Sequence, residues 1–331
     1  MRYIIYGAGG IGSVIGASLF SHGHHVALVG NPEHVESIRK DGLSFVTPDR
    51  TTNLMVDAFK TAEEVAPFGG EDVVLLTAKS QHTVRCLGQL KNAGAPRTLP
   101  IFCCQNSIWN EPTASRVFDK VYGVVVSLPA TFLKPGEVAT PLNGVKGHME
   151  VGCYPSGTDR VAEEVVRSLG ESDLDVSLNG TVMKAKGAKC MLNLMNPFDA
   201  ITDAKASDEF TGRVRAEAEL IWKAAGIEWD PVEEYSKRSR IPRPPSTLSS
   251  DKRSSTWQSL ARGTGNVEAE QINGDLVKLG EFLGIGAPYN ECLWRVSTDM
   301  ALKNEKPGRY SSSDLERMIA GRSWPVPADD C

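Results

Sequence analysis

"RYIIYGAGGIGSVIGASLF", residues 2–20, decides the fold. A short apolar run leads straight into Gly7-Ala8-Gly9-Gly10-Ile11-Gly12, and small and apolar residues follow at helical spacing. The order predicts strand, tight turn, helix. Each glycine has its own task in such a turn. Gly7 permits the turn, Gly9 lets the backbone approach a pyrophosphate, and Gly12 lets the helix lie close to the strand, while the helix N-terminus adds N–H groups and a positive dipole. A bare GxGxxG is weak evidence, but directly after a strand and opening a helix it points to a dinucleotide. Ala8, Gly10 and Ile11 complete the expected cradle.

Moving outward, "HHVALVGN" (24–31) reads as a second parallel strand ending at Asn31, about 20 residues past the turn, where the residue that reads the ribose is expected. A carboxylate there would grip the 2′-hydroxyl of NAD and repel a 2′-phosphate. Asn31 does not repel, and Arg39 and Lys40 follow, so NADP is favoured; Glu33 keeps NAD open. Further strands are predicted at 72–79, 100–106 and 121–129. Their C-terminal ends line the ligand crevice of an open parallel sheet, which puts Lys79 and Asn106 beside the cofactor. Lys79 reads equally well as a solvated strand-end lysine. Asn106 can orient a nicotinamide or a substrate carbonyl, or cap a turn. Residues 133–157 alternate turn signals with short β-prone runs, predicting antiparallel strands that extend the sheet edge.

After about residue 178 the pattern turns helical: 180–206, 210–226, 254–283 and 288–303, with a basic, turn-rich surface loop at 237–255 and a short capped helix before a frayed tail. Two domains follow, a dinucleotide-binding α/β domain over 1–178 and an all-helical domain over 179–331. Within the second, "KGAKCMLNLMNPFDAI" (186–201) sets Lys189, Asn193 and Asn196 at helical offsets on an otherwise apolar helix. Buried polar groups cost free energy unless partnered, so this stripe faces either a ligand or a structural partner. Further on, Glu268 and Glu270 lie two apart and point to different faces. Spacing alone does not say which looks inward.

Composition narrows the function. With 331 residues, 41% of them hydrophobic, the chain can fill two cores. A net charge of -5 argues against nucleic acid as a partner. No apolar stretch approaches the roughly 20 residues of a membrane span, and no signal pattern precedes the first strand, so a soluble, cytoplasmic protein is expected. The seven cysteines show no metal-ligand spacing and no disulfide framework, so no metal is expected. All six histidines lie in the first half, so chemistry supplied by the second half must use another residue.

Together GAGGIG, "TAKS" (77–80), "CQNS" (104–107), "PGEVATP" (135–141), "KCMLNLMNP" (189–197) and "VEAEQING" (267–274) with "LGIGAPYN" (283–290) occur in the order and spacing of the ketopantoate reductases, or 2-dehydropantoate 2-reductases, and the chain resembles that family over nearly all of residues 1–303. The resemblance implies an N-terminal Rossmann domain, a helical C-terminal domain and an active site between them. It also implies NADPH-dependent reduction of a 2-oxo acid to the 2-hydroxy acid, in pantothenate biosynthesis. By motif, Lys189 matches the catalytic lysine and Asn193 the asparagine four residues later. Glu268 matches the substrate-binding glutamate, Asn106 the strand-end asparagine touching cofactor and substrate, and Ser254 the serine holding the substrate carboxylate. The chain departs from the family at Ser107, where glycine is usual, at Asn31, where arginine is usual, and in the spacing of Asn196, three rather than four residues after Asn193.

In such a reaction negative charge grows on the carbonyl oxygen, and Lys189 can both stabilise and protonate it. Glu268 can accept a hydrogen bond from a substrate hydroxyl. Two rival readings use the same residues: reduction of another ketone or β-dicarbonyl compound, and a non-catalytic NADP(H) sensor. Apolar helices in the second domain make a homodimer plausible.

Overall fold

The computed structural model describes residues 1–238, 254–263 and 265–325. They fall into two compact units. One is formed by Met1–Lys186 and joined by residues 233–238; the other is formed by Gly187–Val232 and the described residues from Ser254 onward. Most of the 237–255 loop and the end of the tail lie outside the described residues.

Among its described residues the first unit carries twelve strands: β1 (Arg2–Tyr6), β2 (His25–Val29), β3 (Leu43–Val46), β4 (Thr51–Leu54), β5 (Asp57–Phe59), β6 (Asp72–Leu76), β7 (Ile101–Cys103), β8 (Val121–Ser127), β9 (Thr131–Lys134), β10 (Glu137–Ala139), β11 (His148–Cys153) and β12 (Asp175–Leu178). Its helices are α1 (Gly10–Ser21), α2 (Pro32–Asp41), α3 (Ala62–Val65), α4 (Thr83–Asn92), α5 (Asn110–Ser115), α6 (Arg160–Gly170) and the first half of α7 (Val182–Asn193). Among the described residues the large sheet runs β12-β11-β8-β7-β6-β1-β2-β5. All pairs from β5 to β8 are parallel. The chain winds outward from β1 to β2 and β5, then returns to β6 on the other side of β1. The end of β1 is therefore the switch point at which a Rossmann sheet opens its crevice.

β1 is apolar throughout because both of its faces are covered. Tyr3 and Ile5 belong to one core, with Val14, Ile15 and Leu28; Ile4 and Tyr6 belong to the other, with Val74, Leu76 and Leu87.

The expected hairpin after residue 133 forms, but it does not extend the large sheet. β9 and β10 join β3 and β4 in a separate sheet of order β4-β3-β10-β9, with β10 parallel to β3, and only β11 adds to the large sheet, antiparallel to β8. The reason is a long-range packing choice. Val138 of β10 is fully buried in one core with Leu43 and Phe45 of β3. His34 on α2 locks the arrangement: its Nδ1 accepts the Gly136 N–H (2.9 Å), and its Nε2 lies 3.2 Å from Ser13 Oγ on α1. Burial holds the His34 pKa down at about 4, so the ring is neutral at neutral pH. With Nδ1 accepting, Nε2 carries the proton and donates to Ser13.

α7 crosses the divide between the units, whose boundary falls after Lys186 rather than near residue 178. Lys186 holds the early turns of this helix in the first unit. Its ammonium donates to the Glu111 carboxylate and to the Cys103 carbonyl at the end of β7 (2.9 Å), and both side chains are 2% exposed or less. Burial pushes the Glu111 carboxyl up against the pull of Lys186.

The second unit is helical: the rest of α7, α8 (Asn196–Thr202), α9 (Asp208–Ala224), α11 (Ser255–Arg262), a π-helical turn (Glu270–Gly274) leading into α12 (Asp275–Phe282), α13 (Pro288–Leu302) and α14 (Ser312–Gly321). α10 (Val232–Arg238) leads back to the first unit, where Tyr235 reaches Ser127. α9 buries Phe210, Val214, Ala218, Ile221 and Trp222, the stripe expected of a surface helix. A capping box between Ser311 and Asp314 starts α14. No helix among the described residues is long and apolar enough to cross a membrane.

Removing one partner of a buried ion pair strands a charge in low dielectric. Glu111→Leu or Lys186→Met alone is therefore expected to lower stability by about 3–5 kcal/mol. The double variant should recover most of that loss in a denaturant-unfolding cycle; additive losses would show that the two groups act independently.

Candidate active site

The glycine turn is built as its residues demand. Gly7 has φ +115, and a Cβ there would lie 2.2 Å from Ala78 N. The Gly7 and Ala8 amides both donate to Val29 O on β2 (2.9 and 2.8 Å), and the Gly7 carbonyl accepts from Thr77 Oγ1 beyond β6 (2.9 Å). A Cβ on Gly12 would lie 2.5 Å from both Gly7 O and Thr77 Oγ1, so close helix packing excludes one. Gly9 differs. The nearest atom to its added Cβ is Gly7 O at 4.0 Å, so nothing among the described residues requires a glycine there. What the missing side chain preserves is open space at the N-terminus of α1. That helix has no side-chain cap and no acidic residue in its first turn, which leaves its amides and dipole for an external anion. A pyrophosphate fits this cradle. Gly10 lies under the backbone of Ala130 and Phe132, and Ile11 packs against the core.

Asn31 is exposed at the end of β2 and caps α2, its Oδ1 accepting the Glu33 N–H (3.0 Å). Arg39, on the last turn of α2, is turned away from this end: its Nε donates to Ala58 O (2.7 Å), and its guanidinium pairs with Glu64. Lys40 is exposed on the same turn.

Lys79 and Asn106 are both half-buried and follow the adjacent parallel strands β6 and β7 at the crevice edge. The loops that carry them are tied by a buried polar network. Gln105 donates to Thr83 Oγ1 (2.9 Å), Thr83 to Asn110 Oδ1 (2.7 Å), and Asn110 Nδ2 to Ser80 Oγ and Ser107 O. Ser107, the departure from the family pattern, is absorbed locally. It is buried, and its hydroxyl accepts the Trp109 N–H (3.2 Å).

In the second unit the expected 180–206 helix is broken between Asn193 and Asn196. Lys189 is half-buried on α7 among buried Ala188, Cys190 and Met191. Asn193 ends the helix, and its Nδ2 is buried with no hydrogen-bond partner among the described residues. Leu194 and Met195 turn, and Asn196 begins α8, so Lys189, Asn193 and Asn196 do not share one continuous stripe. Pro197 explains the break, since it has no N–H with which to continue the helix. Ser254 caps α11. Its hydroxyl donates to Asn196 O (3.0 Å) and accepts the Trp257 N–H (3.1 Å), while its amide donates to Asp199 Oδ2 (2.9 Å).

The two glutamates separate as their spacing required. Glu270 is engaged at the surface with Lys278 (3.0 Å), and Glu268 is half-buried in the turn before the π-helical segment. The expected 254–283 helix is broken there as well. The sequence reading missed Thr77, which fixes the glycine turn, and the Lys186–Glu111 pair. The signals were a hydroxyl immediately after an apolar strand and a second lysine on the apolar face of α7. Among the described residues five cysteines are buried and in no disulfide, and burial pushes the Cys104 thiol up to about 12, so it supplies no thiolate at neutral pH.

Residues 3–156 match the family model described as ketopantoate reductase PanE/ApbA, and residues 181–301 match its C-terminal counterpart. The chain is 27% identical to the 2-dehydropantoate 2-reductase of Pyrococcus horikoshii over 305 residues, covering 89% of this chain and 95% of that protein. The solved PanE/ApbA family ketopantoate reductase from Ralstonia eutropha JMP134 superposes with a TM-score of 0.77 at 25% identity, covering 92% of this chain and 99% of that one. A D-mandelate dehydrogenase, solved with NADH and anilino(oxo)acetate, has the same TM-score of 0.77 at 22% identity, with 92% and 99% covered, a likeness of fold alone.

Because no described residue fills the space beside Gly9, Gly9→Val should leave the melting temperature within a few degrees of wild type and abolish dinucleotide binding in a fluorescence titration. Undiminished NADPH affinity in a folded variant would remove the turn from the binding site.

Proposed function

The chain belongs to the ketopantoate reductase family, and from that premise we propose that it reduces ketopantoate, or a closely related 2-oxo acid, with NADPH, using Lys189 as the general acid. It is an oxidoreductase acting on a CH–OH/C=O pair. The observation that carries the residue assignments is the break after α7: Asn193 ends the helix there, Ser254 bonds the Asn196 carbonyl, and Asn273, in the segment that carries Glu268, bonds the Leu194 carbonyl.

Gly7 to Gly12 and the start of α1 would hold the pyrophosphate, Asn31 the adenosine ribose, and Lys79 and Asn106 the nicotinamide end. When bound, the reduced nicotinamide supplies a hydride to the carbonyl carbon. Lys189 faces the charge that grows on the carbonyl oxygen and delivers a proton to it, then regains one from solvent. Its apolar neighbours Cys190 and Met191 strengthen that interaction by excluding water. Asn193, one turn along, orients the substrate oxygen or the ammonium without adding charge. Glu268 accepts from the substrate hydroxyl, and an analogue lacking that hydroxyl leaves a polar group unpaired. Ser254 serves the substrate carboxylate by giving up its bond to Asn196 O.

Nothing at Asn31 repels a 2′-phosphate, which supports NADPH. Arg39 is committed to Ala58 and Glu64, and Glu33 stands in the first turn of α2, so the margin over NADH is small. Direct titration should give tighter NADPH binding by less than about tenfold, or under 1.4 kcal/mol. Equal affinities, or a preference for NADH, would show that Glu33 or another group reads the ribose instead.

Lys189→Ala should cut kcat by about 10²-fold or more with little change in cofactor affinity, because the ammonium acts on the developing alkoxide. Glu268→Ala should mainly raise KM, most of all for hydroxylated substrates. Steady-state kinetics with ketopantoate test both, and near-wild-type turnover in Lys189→Ala would make that lysine structural.

A further inference from the structure

Asn273 is fully buried in the π-helical turn, five residues after Glu268. Both hydrogens of its amide are used: one goes to the Leu194 carbonyl (3.0 Å), the other to Asn290 Oδ1 (3.0 Å). Leu194 directly follows Asn193 at the end of α7, where carbonyls lose their helical partners. Pro197, three residues on, has no N–H for a 3₁₀-type bond to that carbonyl. Asn273 therefore supplies what the helix break removes.

The other end of the tie is equally fixed. Asn290 Nδ2 donates to Val214 O (3.0 Å) and Glu217 Oε2 (2.8 Å), and the Glu217 carboxylate also accepts the backbone amides of Tyr289 and Asn290 (2.9 and 3.0 Å). Beneath the turn, Gly274 lies so close to the Trp294 indole that a Cβ would be 2.8 Å from its Cε2, which fixes the height of the turn on α13. A continuous buried chain thus runs from Leu194 through Asn273 and Asn290 to Glu217 on α9. Asn273 Oδ1 has no hydrogen-bond partner among the described residues. A buried acceptor left in that state costs stability, so a role in stability alone does not explain the choice of asparagine.

We propose that Asn273 is a positioning residue: it sets the end of α7, and with it Asn193 and Lys189, at a fixed separation from the turn that carries Glu268. The proposal rests on the roles given above to Lys189 and Glu268. It assigns Asn273 no contact with substrate or cofactor; the residue acts through the Leu194 carbonyl.

The test uses the full chain with NADPH and ketopantoate. Asn273→Ala should lower kcat tenfold or more while NADPH affinity, read by fluorescence titration, stays within twofold. Asn273→Asp keeps the shape but loses the donor to Leu194 O, and it should be at least as damaging. The decisive measurement is the combination with Lys189→Ala. If Asn273 works through the lysine, adding Asn273→Ala to Lys189→Ala changes the residual turnover by less than twofold. Losses that multiply in the double variant, or wild-type kcat in Asn273→Ala, would overturn the proposal and leave the roles of Lys189 and Glu268 standing. Wild-type turnover in Lys189→Ala alone would overturn those roles and this proposal together. Should Asn273→Ala fail to fold, Asn273→Ser, which retains a small donor, is measured by the same criteria.

Discussion

A lysine and a glutamate removed from water hold the start of the helix that leads out of the first unit. The Lys186–Glu111 pair joins the first half of α7 to α5, and through the Cys103 carbonyl to the end of β7. Such a pair contributes little net stability beside a well-packed apolar alternative. What it does supply is register, because an ammonium between a carboxylate and a carbonyl tolerates neither a slide nor a turn of its helix. Lys189 stands less than one turn beyond Lys186 on the same helix. The strand held by the same ammonium leads directly into the loop that carries Asn106.

The parts of the molecule that follow from local chemistry were legible. Gly7 and Gly12 act within a few residues of one another, and the tight turn and the close helix packing they permit could be read from the turn alone. The parallel strands announced themselves as unbroken apolar runs, because a strand covered on both faces needs no polar alternation. Legibility failed where distant pairings decide. Nothing near residue 138 says that β10 will lie beside β3, since that preference belongs to Leu43 and Phe45, far away in the chain.

The second half shows the same division. Pro197 was visible, yet the regular spacing of Lys189, Asn193 and Asn196 concealed a helix end between them. The ambiguity between Glu268 and Glu270 was resolved by Lys278, which captures the latter, and by a π-helical turn that shifts the phase on which any face assignment depends. Arg39 looked available to a ribose phosphate by proximity in sequence, but Ala58 and Glu64 claim it. Ser254, matched to the family by motif, carries a capping task that its spacing did not reveal.

The glycine turn is held by Thr77 and Val29, both parts of the protein, and its outer side is kept clear by an absent Cβ. The seat for an anion is therefore shaped before any anion arrives. On the binding role proposed for this turn, the conformational freedom lost on association would fall mainly on the incoming dinucleotide. A substitution that loosened Thr77 would act as an entropic handicap on binding while leaving every contact to the ligand chemically available.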